Sequence, residues 1–237
     1  MISFRKINAL YSKQMKNFFN NPFVAFAPIM MVGLAYLNRN ILPYDAEPVQ
    51  YASMLIMVVL MNIVMTGGFT MGCLIAEEKE KFTLNVLITS TVSVLDFLIS
   101  NILTVATITI AANALIYFMI GIDGDVLPFV QFLLISSFGT VVGITMGASL
   151  GILSKNQAMA SAMSTPLMII IILPIFFQDN FFVDNVLYYV FTEQIAFLFL
   201  NIVRYGNLEF FRLGIIAANF VVLAGIFAYC YKKRGLE

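Results

Sequence analysis

The chain has 237 residues, of which 61% are hydrophobic and only 11% charged, and its mean hydropathy is +0.93. A soluble domain has about 45–50% apolar and about 25% charged residues, so this composition excludes a soluble fold and predicts an integral membrane protein. The 13 basic and 13 acidic residues balance to a net charge of zero, which gives no electrostatic reason to expect nucleic acid as a partner.

Residues 1–21 are predicted to form an amphipathic helix in the membrane interface. Four basic side chains fall within an arc of about 100° at helical spacing, and aromatic and aliphatic side chains fall on the opposite side. The basic residues are Arg5, Lys6, Lys13 and Lys16. A basic face opposite an apolar face is typical of helices that lie at the lipid surface. We expect this helix to end before Pro22, which suits the first turn of a following helix.

Six later stretches are apolar and long enough to cross a bilayer, which takes about 20 residues. They cover residues 23–42, 51–76, 97–120, 127–153, 158–177 and 208–231. Ten of the thirteen basic residues lie in the connections on the side of the N-terminus: Arg5, Lys6, Lys13, Lys16, Lys79, Lys81, Lys155, Lys232, Lys233 and Arg234. The six stretches predict a single all-α domain over residues 1–237 with six transmembrane helices. Because basic loops stay in the cytoplasm, the charge distribution predicts that both termini are cytoplasmic.

Residues 178–207, between the fifth and sixth spans, are predicted to form a re-entrant helical hairpin on the outer side. Residues 181–203 are strongly apolar, but a seventh span would place Glu193 near the middle of the membrane. That placement costs about 2.5–3.5 kcal/mol, and it would also move the C-terminal basic cluster outside. We therefore expect the chain to turn at Thr192, Glu193 and Gln194 without crossing.

Four glycines recur at every fourth position of the fourth predicted span: Gly139, Gly143, Gly147 and Gly151. This spacing places them on one helix face, where small residues let helix backbones approach closely in lipid. We expect the stripe to pack inside the bundle, with a dimer interface or a moving contact as the alternatives.

Several enzyme classes are excluded by the absence of histidine. Glu77-Glu78 resembles the paired glutamates of CAAX-type intramembrane proteases, but those enzymes also need histidines. Histidine-based metal sites and Ser–His or Cys–His nucleophile pairs are excluded for the same reason. The sequence has no Walker A loop for ATP hydrolysis. We therefore expect no catalytic residue, metal site or cofactor in this chain.

The segment 77–96 is a polar interruption after the second span and is predicted to be cytoplasmic. It opens with the charged run Glu77-Glu78-Lys79-Glu80-Lys81. From Leu84 onward, Leu87 and Ile88 recur at helical spacing and form one apolar face. We therefore predict a short amphipathic helix at the membrane surface that docks a partner, with an ordinary solvated loop as the alternative.

At this segment the sequence resembles the ABC-2 type permeases, the membrane subunits of ATP-binding-cassette exporters. The family often reads Glu-x-Glu-x-Gly-Thr-Leu-x-x-Leu-x-x-x-Pro-Val there. The matching positions are Glu78, Glu80, Thr83, Leu84, Leu87 and Val92. Phe82 stands where glycine is usual, and Thr91 stands where proline is usual. The order of the interfacial helix, the six spans and the outer hairpin is similar to the family as well.

The resemblance implies that a separate ABC ATPase subunit, which binds ATP and magnesium, drives transport. Two such permeases pair, here as a homodimer or as a heterodimer with a paralogue, in the bacterial cytoplasmic membrane. The helix after the second span is the family's coupling helix, which docks in a groove of the ATPase. The residues expected at this contact are Glu77, Glu78, Lys79, Glu80, Lys81, Thr83, Leu84, Leu87 and Ile88.

Composition also bears on the cargo. The spans are rich in Phe, Met and Ile and poor in charge, which favours an apolar translocation path and an amphipathic or hydrophobic cargo. Short permeases of this kind resemble exporters of bacteriocins and phenol-soluble modulins, so we expect peptide export first. The alternatives are export of drugs, lipids or sodium, or a non-transporting bacteriocin-immunity or membrane-assembly protein.

Overall fold

The computed structural model describes residues 4–41, 47–81, 93–120, 128–177 and 187–234, and within these ranges every regular element is a helix. In chain order the elements are α1 (Phe4–Asn20), α2 (Pro22–Ile41), α3 (Pro48–Asn62), a π-helix (Ile63–Phe69), α4 (Thr70–Glu80), α5 (Val94–Ile120), α6 (Phe129–Leu153), α7 (Gln157–Phe176), α8 (Phe191–Tyr205) and α9 (Phe210–Arg234).

Six helical stretches of the described chain are long and apolar enough to cross a membrane, which confirms the prediction of an all-α polytopic membrane protein. The second is the longest, because α3, the π-helix and α4 run on as one helix of 33 residues, Pro48–Glu80. At 1.5 Å per residue it is about 50 Å long, whereas the hydrocarbon core of a bilayer is about 30 Å thick. Its last turns therefore reach beyond the hydrocarbon, and they carry the charged run.

This long second span is also the centre of the bundle. In the most apolar 18-residue stretch of this span 72% of the residues are buried, whereas in the corresponding stretch of α9 only 11% are buried. Val58, Val59 and Leu60 are completely buried, and α5, α6, α7 and α8 all pack around the span. Because α9 packs mainly along α6 and α8, most of its apolar surface faces outward, as suits a helix in lipid.

The glycine stripe of α6 lies against this central span. A Cβ on Gly143 would come within 2.9 Å of the Ile63 carbonyl oxygen, and one on Gly151 within 2.8 Å of the Gly72 carbonyl oxygen. A Cβ on Gly147 would overlap the carbonyl group of Gly68. The two backbones are therefore in direct contact, which only the absence of side chains permits.

Local sequence signals set the ends of several helices. At the start of α5, the Asp96 amide donates to the Ser93 hydroxyl at 3.1 Å, and the Ser93 amide donates to the Asp96 carboxylate at 3.3 Å. This reciprocal pair is a capping box. The Asn156 side chain accepts from the Met159 amide at 2.8 Å and begins α7. Gly206, with φ of 66°, ends α8 in the left-handed conformation that favours glycine.

In the predicted outer hairpin, the structure describes residues 187–207, and residues 178–186 lie outside the described ranges. A turn is closed by a hydrogen bond from the Val190 amide to the Leu187 carbonyl at 2.9 Å. The helix α8 begins directly after it, so Thr192, Glu193 and Gln194 lie in its first turn and are buried. With 15 residues, α8 is about 22 Å long and too short to cross a bilayer.

Candidate functional site

The charged run that ends the central span bonds to several other parts of the described chain. Residues 77–80 form the last turn of α4. Because successive helical residues point about 100° apart, the four side chains leave the helix in four directions. Each of them contacts a different part of the chain.

Glu78 binds the interfacial helix α1. Its carboxylate accepts a hydrogen bond from Gln14 Nε2 at 3.0 Å and forms an ion pair with Lys13 Nζ at 3.3 Å. Glu78 is 6% exposed and Gln14 is 1% exposed, so this contact is shielded from water. A hydrogen bond to a charged group in such a place contributes about 1.5–3 kcal/mol, more than one at the surface. It fixes α1 against the end of α4.

Glu77 contacts the junction between α1 and α2. Its carboxylate accepts a hydrogen bond from Asn21 Nδ2 at 2.9 Å. It also pairs with Lys81 one turn later in its own helix. The hydrogen bond from Lys81 to Glu77 raises the pKa of Lys81 above its ordinary value.

Lys79 and Glu80 contact the adjacent ends of α6 and α7. Lys79 Nζ donates a hydrogen bond to the Ile152 carbonyl at 2.9 Å, in the last turn of α6. Glu80 Oε2 accepts one from the Gln157 amide at 3.0 Å, at the first residue of α7. Helix ends leave such carbonyl and amide groups without intrahelical partners. The cation meets the negative end of one helix dipole, and the carboxylate meets the positive end of another.

The sequence prediction for this segment is therefore only partly covered by the structure. All five charged residues from Glu77 to Lys81 are described, and their contacts above lie within the chain. The predicted amphipathic face falls in residues 82–92, outside the described ranges, and so do Thr83, Leu84, Leu87 and Ile88. Their docking to an ATPase stays a prediction. Residues 77–81, which the structure describes, directly precede residues 82–92 in the chain.

An apolar cavity of about 480 Å³ lies beside the central span. Its walls include Met61, Met65 and Phe69 from α3 and the π-helix, and Met168, Ile172 and Phe176 from α7. Ser161 and Thr165 add hydroxyl groups in the N-terminal half of α7. From Ser161 to Phe176 the wall of α7 is about 22 Å long, most of the thickness of the hydrocarbon core. This space suits an apolar occupant with a small polar part.

The C-terminal half of α7, which forms part of this cavity wall, is hydrogen-bonded to the buried first turn of α8. Thr192 Oγ1 donates a hydrogen bond to the Ile171 carbonyl at 2.6 Å, one turn before Pro174. Gln194 in turn accepts a hydrogen bond from Arg212 Nη1 at 3.2 Å. The guanidinium of Arg212 also lies 4.4 Å from the centre of the Phe197 ring. The residues predicted as a turn thus connect α7, α8 and α9.

Sequence reasoning missed a polar cluster in the middle of the bundle. Asn62 Nδ2 donates to Asn113 Oδ1 at 2.8 Å, and Thr66 Oγ1 donates to Asn62 Oδ1 at 2.7 Å. All three residues are completely buried. Two isolated asparagines in separate spans give no sign in the sequence that they meet. Gln14, Asn21 and Gln157, the partners of the charged run, were missed for the same reason.

The structure thus combines an apolar cavity beside the central span with a charged turn that contacts α1, α6 and α7. In the described ranges no group of three or more histidine, cysteine, aspartate or glutamate side chains comes together to hold a metal. A comparison with known protein families matches residues 5–183 to the family described as ABC-2 type transporter. A search of curated proteins finds no match.

Proposed function

The chain belongs to the ABC-2 type transporter family, and from this premise we propose that it is the transmembrane subunit of an exporter of amphipathic or hydrophobic cargo. An antimicrobial or cytolytic peptide is the first candidate. Membership of the family makes the chain a membrane subunit of an ABC transporter that works with an ABC ATPase. The cargo class and the direction of transport are proposals.

The single observation that carries the cargo proposal is the apolar cavity beside the central span. Methionine side chains adapt their shape to varied apolar partners, and three of them line this cavity. The hydroxyl groups of Ser161 and Thr165 offer only weak polar recognition. A sugar or an inorganic ion needs several fixed polar groups in its site, whereas an amphipathic peptide, a lipid or an apolar drug does not.

Energy for transport is proposed to come from the partner ATPase, because this chain has no Walker A loop. Within the proposed coupling segment, residues 77–96, residues 82–92 would carry the docking face, with Leu84, Leu87 and Ile88 in a groove of the ATPase. The charged residues from Glu77 to Lys81 each bond to other residues of this chain, so we propose that they position this segment in place of the direct ATPase contact expected from the sequence. ATP can drive transport only if these contacts differ in free energy between two states.

The remaining proposals concern assembly and orientation. Two copies of this chain, or this chain and a paralogue, would form the pair of membrane subunits. Both termini would lie in the cytoplasm of a bacterium, with residues 178–207 as the outer re-entrant region. The charge distribution along the sequence supports this orientation.

The test has two stages. The chain is purified together with candidate ATPase subunits, and Leu84→Asp is compared with Leu115→Asn, an exposed position on α5. We expect an ATPase to copurify with the unaltered chain and with the α5 control, but not with the Leu84 variant. The reconstituted complex is then given peptides, lipids and drugs, and we expect amphipathic peptides to raise its ATPase rate most.

The outcomes separate the candidates. If no ATPase associates with the unaltered chain, the exporter proposal fails, and a non-transporting immunity or assembly protein is favoured. If lipids or drugs raise the ATPase rate and peptides do not, the exporter proposal stands and the peptide cargo is ruled out.

A further inference from the structure

The helix α7 is held at two points, and a proline lies between them. At the cytoplasmic end, the Gln157 amide donates to Glu80. Further out, the Ile171 carbonyl accepts from Thr192. Pro166 is inside the helix, and it removes one backbone hydrogen bond from the stretch between the two contacts. A helix with two fixed points and a weakened turn between them bends at the weak turn.

The position of Pro166 also divides the cavity wall. Ser161 and Thr165 line the cavity on the cytoplasmic side of the proline, and Met168 and Ile172 line it on the outer side. A change of angle at Pro166 would therefore move the cytoplasmic part of the wall while the outer part stays with α8. The cavity would widen or narrow at its cytoplasmic end.

The four charges at the end of α4 fall into two groups. Glu77 and Glu78 contact Asn21 and α1, and neither touches α7 in the contacts described above. Of the four, Glu80 is the residue that binds the first amide of α7, while Lys79 binds the end of α6 next to it. The residue after them, Lys81, leads directly into residues 82–92, the part of the proposed coupling segment that would dock the ATPase. Displacement of that segment thus reaches α7 through Glu80.

We propose that Glu80 is a positioning residue that sets the angle of the cytoplasmic half of α7 about Pro166, and thereby the width of the apolar cavity. This inference rests on the proposed function for its biological meaning, since the ATPase would supply the displacement. Glu77 and Glu78 serve a separate purpose, which is to hold α1. The contacts that carry the inference are all within this chain, so it is testable with and without an ATPase.

The contact is removed from either side. Glu80→Gln takes away the carboxylate charge at nearly constant size. Gln157→Pro takes away the amide hydrogen, and proline is well tolerated at the first position of a helix. Glu77→Gln is the matched control, because it changes the same charge on the same turn at a contact with α1 and α2. The readout is the rate at which N-ethylmaleimide labels Ser161→Cys or Ile172→Cys in the full chain in lipid nanodiscs. Cys73 and Cys230 are buried and give a low background.

We expect Glu80→Gln to change the labelling rate at position 161 by about fivefold, the size of a coupling near 1 kcal/mol, and to leave position 172 unchanged. Gln157→Pro should reproduce this change, and the double variant should add nothing to it. Glu77→Gln should leave both rates as they were. The ATPase should still copurify with the Glu80 variant, while nucleotide no longer changes labelling at position 161.

Two results overturn the proposal. One is equal labelling at position 161 in the unaltered chain, Glu80→Gln and Gln157→Pro. The other is equal loss of ATPase binding in Glu77→Gln and Glu80→Gln, which would make the charges part of the docking surface. If the unaltered chain binds no ATPase, the proposed function fails, and labelling of the chain alone still decides whether Glu80 sets the angle of α7.

Discussion

The carbonyl group of Gly68 occupies the space that a side chain on Gly147 would need. Both partners are backbone, so neither has a rotamer that would make room. The contact is the closest approach between α6 and the central span among the glycines described, and it sets the distance between the two helices.

Replacement of Gly147 by alanine is expected to lower the stability of the protein by about 1–3 kcal/mol, because the helices must separate to admit the methyl group. Thermal unfolding in detergent micelles measures the loss. Gly225→Ala is the matched control, since a Cβ there meets nothing within 4 Å. Equal melting temperatures for the two variants would contradict the packing described here.

The buried asparagine pair makes a second prediction. Asn62→Leu or Asn113→Leu should each cost about 1 kcal/mol, the usual value of a hydrogen bond between membrane helices. The double variant should cost less than the sum, because both changes remove the same bond. Asn40→Leu is the control, as Asn40 is exposed and its side chain donates to the Tyr36 carbonyl of its own helix at 2.8 Å. Additive losses in a double-mutant cycle would show that the two side chains are not coupled.

The attachment of α1 is tested with two amide side chains on that helix. Gln14→Ala removes the buried donor to Glu78, and it should increase hydrogen exchange of the α1 backbone by about tenfold, for a bond of about 1.5 kcal/mol. Asn17→Ala changes an exposed amide on the same helix and should leave exchange unaltered. The same exchange rate in both variants would mean that Glu78 does not hold α1.

The contact between α8 and α9 includes a hydrogen bond from Arg212. Its Nε donates to Glu209 at 2.5 Å, and its Nη1 donates to Gln194. Arg212→Gln should therefore lower stability by about 1–3 kcal/mol and expose α8 to protease. Arg204→Gln, an exposed position at the end of α8, should have little effect. Protease resistance equal to that of the unaltered protein would argue against this contact.

The predicted orientation is tested with single cysteines at exposed positions. A membrane-impermeant maleimide added to intact cells should label Arg204→Cys and not Lys155→Cys, because basic loops are retained inside. After the cells are opened, both should react. Labelling of position 155 in intact cells would reverse the orientation.

The six spans could be predicted from the sequence because each depends on a run of apolar residues, which is a local property. The second span was predicted to end at residue 76, whereas the helix continues to Glu80. The charged residues were predicted to open a polar docking segment, with a solvated loop as the alternative, whereas in the structure residues 77–80 are helical and bond to partners on α1, α6 and α7. These partners lie up to 77 positions away along the chain, and no local pattern indicates such contacts.

The start of α8 illustrates a similar limit. The polar residues Thr192, Glu193 and Gln194 were predicted to form a turn because they interrupt an apolar run. In the structure the turn comes just before them, and Thr192 reaches a carbonyl of α7. Polar side chains in an apolar stretch mark either a turn or a buried contact, and the sequence alone does not separate the two.

The π-helix in the central span has a consequence for everything that follows it. A π-turn takes in one residue more than an α-turn, so it winds more slowly along the chain. Across Ile63–Phe69 the difference amounts to a rotation on the order of 100°. In an uninterrupted α-helix of the same sequence, the Glu80 side chain would point roughly where the side chain of an adjacent charged residue points in this structure. The π-helix thus sets the angular phase of the charged turn, and it decides which charge meets which helix.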